Sequence, residues 1–82
     1  STPWKIYPNP STGLVTLQTN AGSEGNNFTL KASNMTGQMV RAISGKVQGG
    51  LIQLDLQDQV PGLYVLELIE NNKKTTFKIA IQ

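Results

Sequence analysis

The chain has 82 residues, of which 38% are hydrophobic, a size that suits one small domain with a modest core. Its net charge of +2 comes from seven basic residues that form no run in the sequence, which argues against a nucleic-acid-binding domain. The lack of cysteine excludes disulfides, and no apolar run approaches the roughly 20 residues of a membrane-spanning helix.

The first half of the chain predicts short β-strands separated by turn residues. Pro8-Asn9-Pro10 ends the first strand, because proline supplies no backbone N–H group to a sheet. Residues 19–26 are small and polar without periodicity, which is typical of a loop. Asn34 to Gly37 is a turn that leads into a returning strand. Alternation of apolar and polar residues places the strands of this half at 5–7, 14–18, 27–33 and 39–44.

The second half contains the longest apolar run, which we expect to form the central strand. Pro61-Gly62 favours a tight turn, and the run that follows is rich in aromatic and β-branched residues. Tyr64 shares one face of this strand with Leu66 and Leu68. Asn71-Asn72 predicts a two-residue hairpin loop, because asparagine tolerates positive φ. The strands of this half are placed at 51–56, 60–69 and 74–81.

Seven strands and no helical period predict an all-β fold, a seven-stranded antiparallel immunoglobulin-like β-sandwich. We assign residues 1–5 to a linker or remnant that precedes the domain, and residues 6–82 to the domain itself. The last strand ends the chain, so one of its edges is expected to lie free and to allow docking by β-augmentation.

Residues with catalytic chemistry are scarce in this sequence. Without histidine and cysteine, the commonest general bases, nucleophiles and metal ligands are missing. Asp55 and Asp58 lie close enough in sequence to suggest an acid pair, but the simpler interpretation is that both are solvated at a strand end. The sequence therefore predicts a domain that is not an enzyme and that binds no cofactor or metal.

Five segments, taken in order, resemble the motifs of a known family. The chain is similar to the type A C-terminal sorting domain of the type IX, or Por, secretion system of Bacteroidetes. That family opens on a Tyr-Pro-Asn-Pro motif and ends on a lysine followed by apolar residues. Here Pro61 directly precedes Gly62, so the residue that usually separates them is absent. The matching segments span residues 7–13, 34–40, 54–56, 60–64 and 78–81.

This resemblance implies a non-catalytic secretion signal fused behind an N-terminal cargo domain. The implied partners are the outer-membrane translocon and a sortase-like peptidase, which cleaves the domain off as the cargo is anchored or released. The implied route is export through the periplasm to the cell surface or the medium. The candidate sorting-motif residues are Tyr7, Pro8, Asn9, Pro10, Gly13, Gly37, Gln38, Gly62, Tyr64, Lys78, Ile79 and Ile81.

Structural roles compete with recognition at each of these positions. The glycines are most simply turn residues, and Tyr64 is expected to be a core tyrosine whose hydroxyl bonds a nearby backbone group. Lys78 fits either recognition or a solvated face. Two other functions stay open: an appended carbohydrate- or protein-binding module, for which Trp4 and Tyr7 are the available aromatic residues, and a passive spacer in a secreted multidomain protein.

Overall fold

The computed structural model describes residues 4–19 and 21–82, which form seven β-strands in two antiparallel sheets. A 3₁₀ turn at Ala21–Ser23 lies between the second and third strands. The predicted seven-stranded antiparallel sandwich is confirmed. The strands are Lys5–Tyr7 (β1), Leu14–Gln18 (β2), Asn27–Asn34 (β3), Met39–Lys46 (β4), Leu51–Asp55 (β5), Gly62–Glu70 (β6) and Lys73–Ile81 (β7).

The strand order places β6 inside the larger sheet. The three-stranded sheet has the order β1-β2-β5, and the four-stranded sheet has the order β4-β3-β6-β7. In the four-stranded sheet Leu66 of β6 is aligned with Ala32 of β3 and with Phe77 of β7. The prediction of a central strand in this part of the chain is therefore confirmed.

The core forms where the apolar faces of the two sheets meet. Successive side chains of a strand point to opposite faces, so the alternation in the sequence sorts each strand into an inner and an outer side. Val47, which follows β4, is fully buried beside the strand residues. The buried hydrophobic residues are Trp4, Val15, Leu17, Leu30, Ala32, Val47, Ile52, Leu54, Leu56, Tyr64, Leu66, Leu68, Ile79 and Ile81.

Five strands have ends one or two residues from the predicted ones, and the packed domain begins before the assigned start. β4 continues to Lys46, because Gly45 still pairs with Phe28 although glycine disfavours strands. β1 begins at Lys5, and Trp4 is only 4% exposed, so both residues belong to the packed unit rather than to a preceding linker. The rest of that assigned linker, residues 1–3, lies outside the described residues, as does residue 20 of the predicted loop.

Candidate functional site

The side chain of Asn9 lies against the outer edge of β7. Its Nδ2 atom donates a hydrogen bond to the backbone oxygen of Lys78 at 3.2 Å. Its Oδ1 atom accepts one from the backbone nitrogen of Ala80 at 3.0 Å. The primary amide therefore presents the donor and acceptor that a neighbouring strand would present. Asn9 substitutes for one strand residue at this edge.

The backbone of Ser11 continues this cover toward the C-terminus. Ser11 N donates to the oxygen of Ala80 at 2.9 Å, and Gln82 N donates to the oxygen of Ser11 at 2.8 Å. Ser11 thereby forms an isolated parallel bridge with Ile81. The expectation of a free edge is wrong for the C-terminal half of β7, because residues 9–11 occupy it.

The turn after this segment depends on a buried serine and a glycine. Ser11 is 2% exposed, and its Oγ donates to the oxygen of Leu14 at 2.7 Å and accepts from Gly13 N at 3.0 Å. Gly13 has a φ of 129°, and a Cβ atom at this position would lie 2.6 Å from the Cα of Gln57. The Gly13 oxygen also accepts a hydrogen bond from Leu56 N at 2.7 Å. Backbone conformation and space both require glycine here.

Gly13→Ala is expected to lower the free energy of unfolding by about 1–3 kcal/mol, because positive φ and a backbone clash add in one substitution. Gly45→Ala is the matched control. Gly45 has no positive φ, and the nearest atom to its Cβ position is 3.5 Å away. A urea titration of both variants measures the effect. Equal midpoints for the two variants would contradict the role assigned to Gly13.

The β3–β4 turn is organised by the side chain of Asn34. Its Oδ1 atom accepts hydrogen bonds from Thr36 N at 3.1 Å, Thr36 Oγ1 at 2.7 Å and Gln38 N at 2.9 Å. Its Nδ2 atom donates to Gln38 Oε1 at 3.2 Å. Gly37 has a φ of 86° and open space at its Cβ position. Gly37 and Gln38 therefore stabilise the turn. Asn34, which was not among the candidate residues, makes the side-chain hydrogen bonds that close it.

Tyr64 fills the place that the sequence predicted for it. The residue is 2% exposed, and its hydroxyl donates to the backbone oxygen of Val60 at 2.5 Å. This bond joins the start of β6 to the segment before Pro61 and Gly62. The predicted structural role of Tyr64 is confirmed, and its side chain offers no surface to a partner.

These separate segments meet at one end of the sandwich, which we call the motif end. The pairs Asn34–Tyr64 and Tyr64–Ile79 place the β3–β4 turn and the start of β6 beside the last residues of β7. Residues 9–11 lie along that same part of β7. Ile79 and Ile81 point into the core, whereas Lys78 is exposed. Of the candidate residues in β7, Lys78 alone presents its side chain to solvent.

Residues 5–82 match the family model described as the secretion system C-terminal sorting domain. The chain belongs to this family. The match includes all seven strands and every candidate sorting-motif residue.

A solved structure shares the fold of this sorting domain. It is a DUF3244 family protein with an immunoglobulin-like β-sandwich fold from Bacteroides vulgatus ATCC 8482. The similarity has a TM-score of 0.78 at 19% sequence identity, and it covers 98% of this chain and 84% of that chain. The immunoglobulin-like form of the sandwich is thereby confirmed. No curated protein matches the sequence.

The aspartates of the sorting domain have structural partners. Asp55 Oδ1 accepts a hydrogen bond from Gln57 N at 2.9 Å, and Asp58 Oδ1 accepts one from Arg41 at 2.5 Å. The bond from Arg41 holds the pKa of Asp58 below its usual value. Among the described residues no group of three or more acidic, histidine or cysteine side chains could hold a metal ion. The solvated strand-end interpretation fits both aspartates.

The opposite end of the sorting domain contains a buried carboxylate that sequence patterns did not indicate. Glu70 is 8% exposed, and its Oε2 atom accepts a hydrogen bond from Asn26 Nδ2 at 2.7 Å. Burial acts to raise the pKa of Glu70, but hydrogen bonds from Ser23, Asn26 and Trp4 outweigh it and hold the pKa below the usual range. The carboxylate thus joins the start of the domain to the β6–β7 hairpin.

The lowered pKa of Glu70 predicts a stability that depends on pH. A carboxyl group with a lowered pKa in the folded state stabilises the fold above its unfolded pKa of about 4.3, and this contribution is lost as the pH falls through the folded value. Glu70→Gln should therefore be less stable than the unchanged domain at pH 6, with the difference shrinking toward pH 3. Urea titrations at several pH values measure it. A constant difference across this range would refute the assignment.

The two aromatic residues that the sequence offered for carbohydrate binding differ in their exposure. Trp4 is buried in the core, so the expectation that it is free to bind a ligand is wrong. Tyr7 is 42% exposed at the end of β1. One half-exposed tyrosine does not make the aromatic surface that carbohydrate binding commonly uses.

Proposed function

We propose that this sorting domain is a non-catalytic signal that directs a fused cargo protein across the outer membrane by the type IX secretion system. Family membership implies export toward the cell surface or secretion. The observation that carries the proposal is the family match over residues 5–82, together with the meeting of its motif segments at one end of the fold. Within the described residues no helix is long and apolar enough to cross a membrane.

The proposed route has three steps. The cargo and its sorting domain pass through the periplasm, the outer-membrane translocon recognises the folded domain, and a sortase-like peptidase cleaves the domain from the cargo. Recognition of a folded domain is supported by the side chains at the motif end. Asn9 and Tyr64 hold a strand edge and a turn through their side chains, so the fold fixes the shape of this end, while Tyr7, Pro8 and Lys78 are exposed there.

The experiment fuses the domain behind a reporter enzyme that carries a periplasmic export sequence. In a host with an intact type IX system, the reporter should accumulate at the cell surface or in the medium. In the same host without the translocon, it should stay in the periplasm. Periplasmic retention of the reporter in both hosts would overturn the proposal.

Lys78→Ala should reduce export about tenfold without loss of fold, because a charged contact contributes about 1.5 kcal/mol and 1.4 kcal/mol is tenfold in affinity. Lys5→Ala is the matched control, since Lys5 is an exposed lysine in the other sheet. The melting temperature of each fusion protein verifies folding, because substitution of an exposed residue changes stability by only about 0.5 kcal/mol. Equal export of the two variants would exclude recognition of Lys78.

The binding-module and spacer alternatives predict a different result in the same assay. Neither requires that the domain carry a foreign reporter across the outer membrane. Retention of the reporter with a normally folded domain would favour them.

A further inference from the structure

The outer face of the four-stranded sheet carries large exposed apolar side chains at the motif end. Met39 of β4 is 58% exposed, and Leu63 of β6 is 52% exposed. Met39 pairs with Ser33, which in turn pairs with Val65 across β3 and β6. Leu63 is two residues from Val65 on the same face and pairs with Ala80 of β7. Register therefore connects these side chains across all four strands.

Two further exposed apolar residues lie next to the ends of these strands. Met35 lies in the β3–β4 turn and is 57% exposed, and Val60 lies just before β6 and is 75% exposed. Exposed apolar residues that cluster at one end of a small domain mark an interaction site more often than scattered ones do. We define the outer patch as Met35, Met39, Val60 and Leu63, with the half-buried Val65 and Ala80.

The charges on the outer face of this sheet have one dominant sign. Lys78 is the direct neighbour of Val65, and Lys31 is the direct neighbour of Glu67, one row further along the sheet. Glu67 is ion-paired with Lys74 at 3.1 Å. Among the described residues, the outer face thus carries one acidic side chain and four lysines, which are Lys31, Lys46, Lys74 and Lys78.

This cluster was not visible in the linear sequence, where the basic residues are scattered. The strand order places four lysines from β3, β4 and β7 on one face, although β7 is distant from β3 and β4 along the chain. Lys31, Lys46 and Lys78 each precede a buried residue and therefore point outward, and Lys74 shares the outer side with Lys78 by alternation along β7. By register Lys78 and Lys31 lie nearest the apolar residues, and Lys74 and Lys46 lie toward the opposite end of the sheet.

We propose that the outer patch docks onto an outer-membrane protein of the secretion pathway whose surface is apolar at its centre and acidic at its rim. This inference rests on the proposed function and names the surface that the pathway reads. Charge complementarity selects the acidic rim, since the patch has lysines beside it. Methionine side chains adapt to differently shaped apolar partners.

A protein is a better fit than a lipid surface for this patch. Peripheral segments that insert into the membrane interface commonly combine leucine with tryptophan or phenylalanine, and tryptophan and tyrosine are enriched at membrane surfaces; the outer patch contains none of these three aromatic residues. The outer patch is built from methionine, leucine, valine and alanine. Apolar contact centred on Met39 and Leu63, with lysines at the rim, resembles the arrangement of a protein interface.

The first test compares two double variants in the reporter fusion. Met39→Thr with Leu63→Thr should lower export about tenfold or more, because it replaces the two exposed apolar side chains on which the proposed contact is centred. Leu14→Thr with Leu51→Thr is the matched control. These leucines are 53% and 40% exposed and lie in the three-stranded sheet, and the control replaces them by the same residue type. Protease resistance of each purified fusion protein verifies that it is folded.

The second test identifies what touches the patch. A photoreactive amino acid at Met39 in the exporting host should form an adduct with a protein of the secretion system, identified by mass spectrometry, whereas the same group at Leu51 should not. Lys31→Glu with Lys78→Glu should reduce the yield of this adduct several-fold. Adducts with lipid alone would overturn the proposal in favour of a membrane surface.

The outcomes separate this inference from the proposed function. If the unchanged domain fails to export the reporter, the proposed function fails. If the unchanged domain exports the reporter and the patch variant exports as well as its control, the function stands and the outer patch is not the docking surface. Loss of export by folded patch variants, with a protein adduct at Met39, supports the inference.

Discussion

Leu66→Ala is expected to lower the free energy of unfolding by about 2–5 kcal/mol, and Leu68→Ala should have a similar effect. Leu66 is 0% exposed and Leu68 is 1% exposed. Both lie in β6, which is paired on each side, so the surrounding strands cannot easily close the cavity that alanine leaves. A domain of this size has a total stability of only about 5–15 kcal/mol, so either variant loses a large fraction of it.

The measurement is a denaturant titration of each variant, with Leu63→Ala as the control. Leu63 is in the same strand but is 52% exposed, so its truncation leaves no cavity and should cost less than about 1 kcal/mol. The comparison separates strand propensity, which all three leucines share, from burial, which only two have. Similar midpoints for Leu66→Ala and Leu63→Ala would mean that β6 is not central to the core.

The strands and their inner faces could be predicted because they depend on local alternation. Val15 and Leu17 in β2, and Leu30 and Ala32 in β3, are buried as the period of two indicated. The Asn71-Asn72 turn was predicted for a similar reason. Its residues have φ values of 47° and 65°, which asparagine tolerates better than most side chains.

The contacts of Asn9 could not be predicted from the sequence. Its two hydrogen bonds reach residues 69 and 71 positions away, and no local pattern reports a pairing at that distance. An asparagine between two prolines is equally consistent with an exposed turn. The segment lies where it does because β7 is an edge strand of its sheet and offers unpaired backbone groups to Asn9.

The burial of Trp4 and Glu70 was missed for a related reason. A single tryptophan next to a chain terminus has no periodic neighbours, so the pattern assigned it to a linker. Glu70 follows β6's apolar run, and a carboxylate there is ordinarily exposed. The Asn26 and Trp4 side chains that satisfy it come from segments without periodicity.

The candidate sorting residues divide between structure and surface once their neighbours are known. Ser11, which was not among them, is buried and holds the turn that Gly13 completes. Lys78 remains available for contact, and so do the apolar residues of the outer patch. The motif segments thus meet at one end of the fold, where several of their residues maintain the local backbone and others are exposed.

Deleting residues 78–82 is expected to unfold the domain and to abolish export of a fused cargo. The deletion removes Ile79 and Ile81, which are 1% and 4% exposed, and each buried isoleucine contributes about 2–5 kcal/mol when truncated even to alanine. It also removes the backbone groups that bond Asn9 and Ser11. The sum is comparable with the whole stability of a small domain.

Loss of export by this truncated protein would not show recognition by itself, because unfolding also blocks export. A folded variant is therefore needed for comparison. Circular dichroism and a thermal melt of the truncated domain should show no cooperative unfolding, whereas Lys78→Ala should melt near the unchanged temperature. Deleting Gln82 alone is a further control, because its side chain is exposed and its removal takes away one hydrogen bond, to Ser11. If the protein without residues 78–82 still melts cooperatively, the assigned core is wrong. If it also exports cargo at the normal rate, the C-terminal strand is not part of the signal.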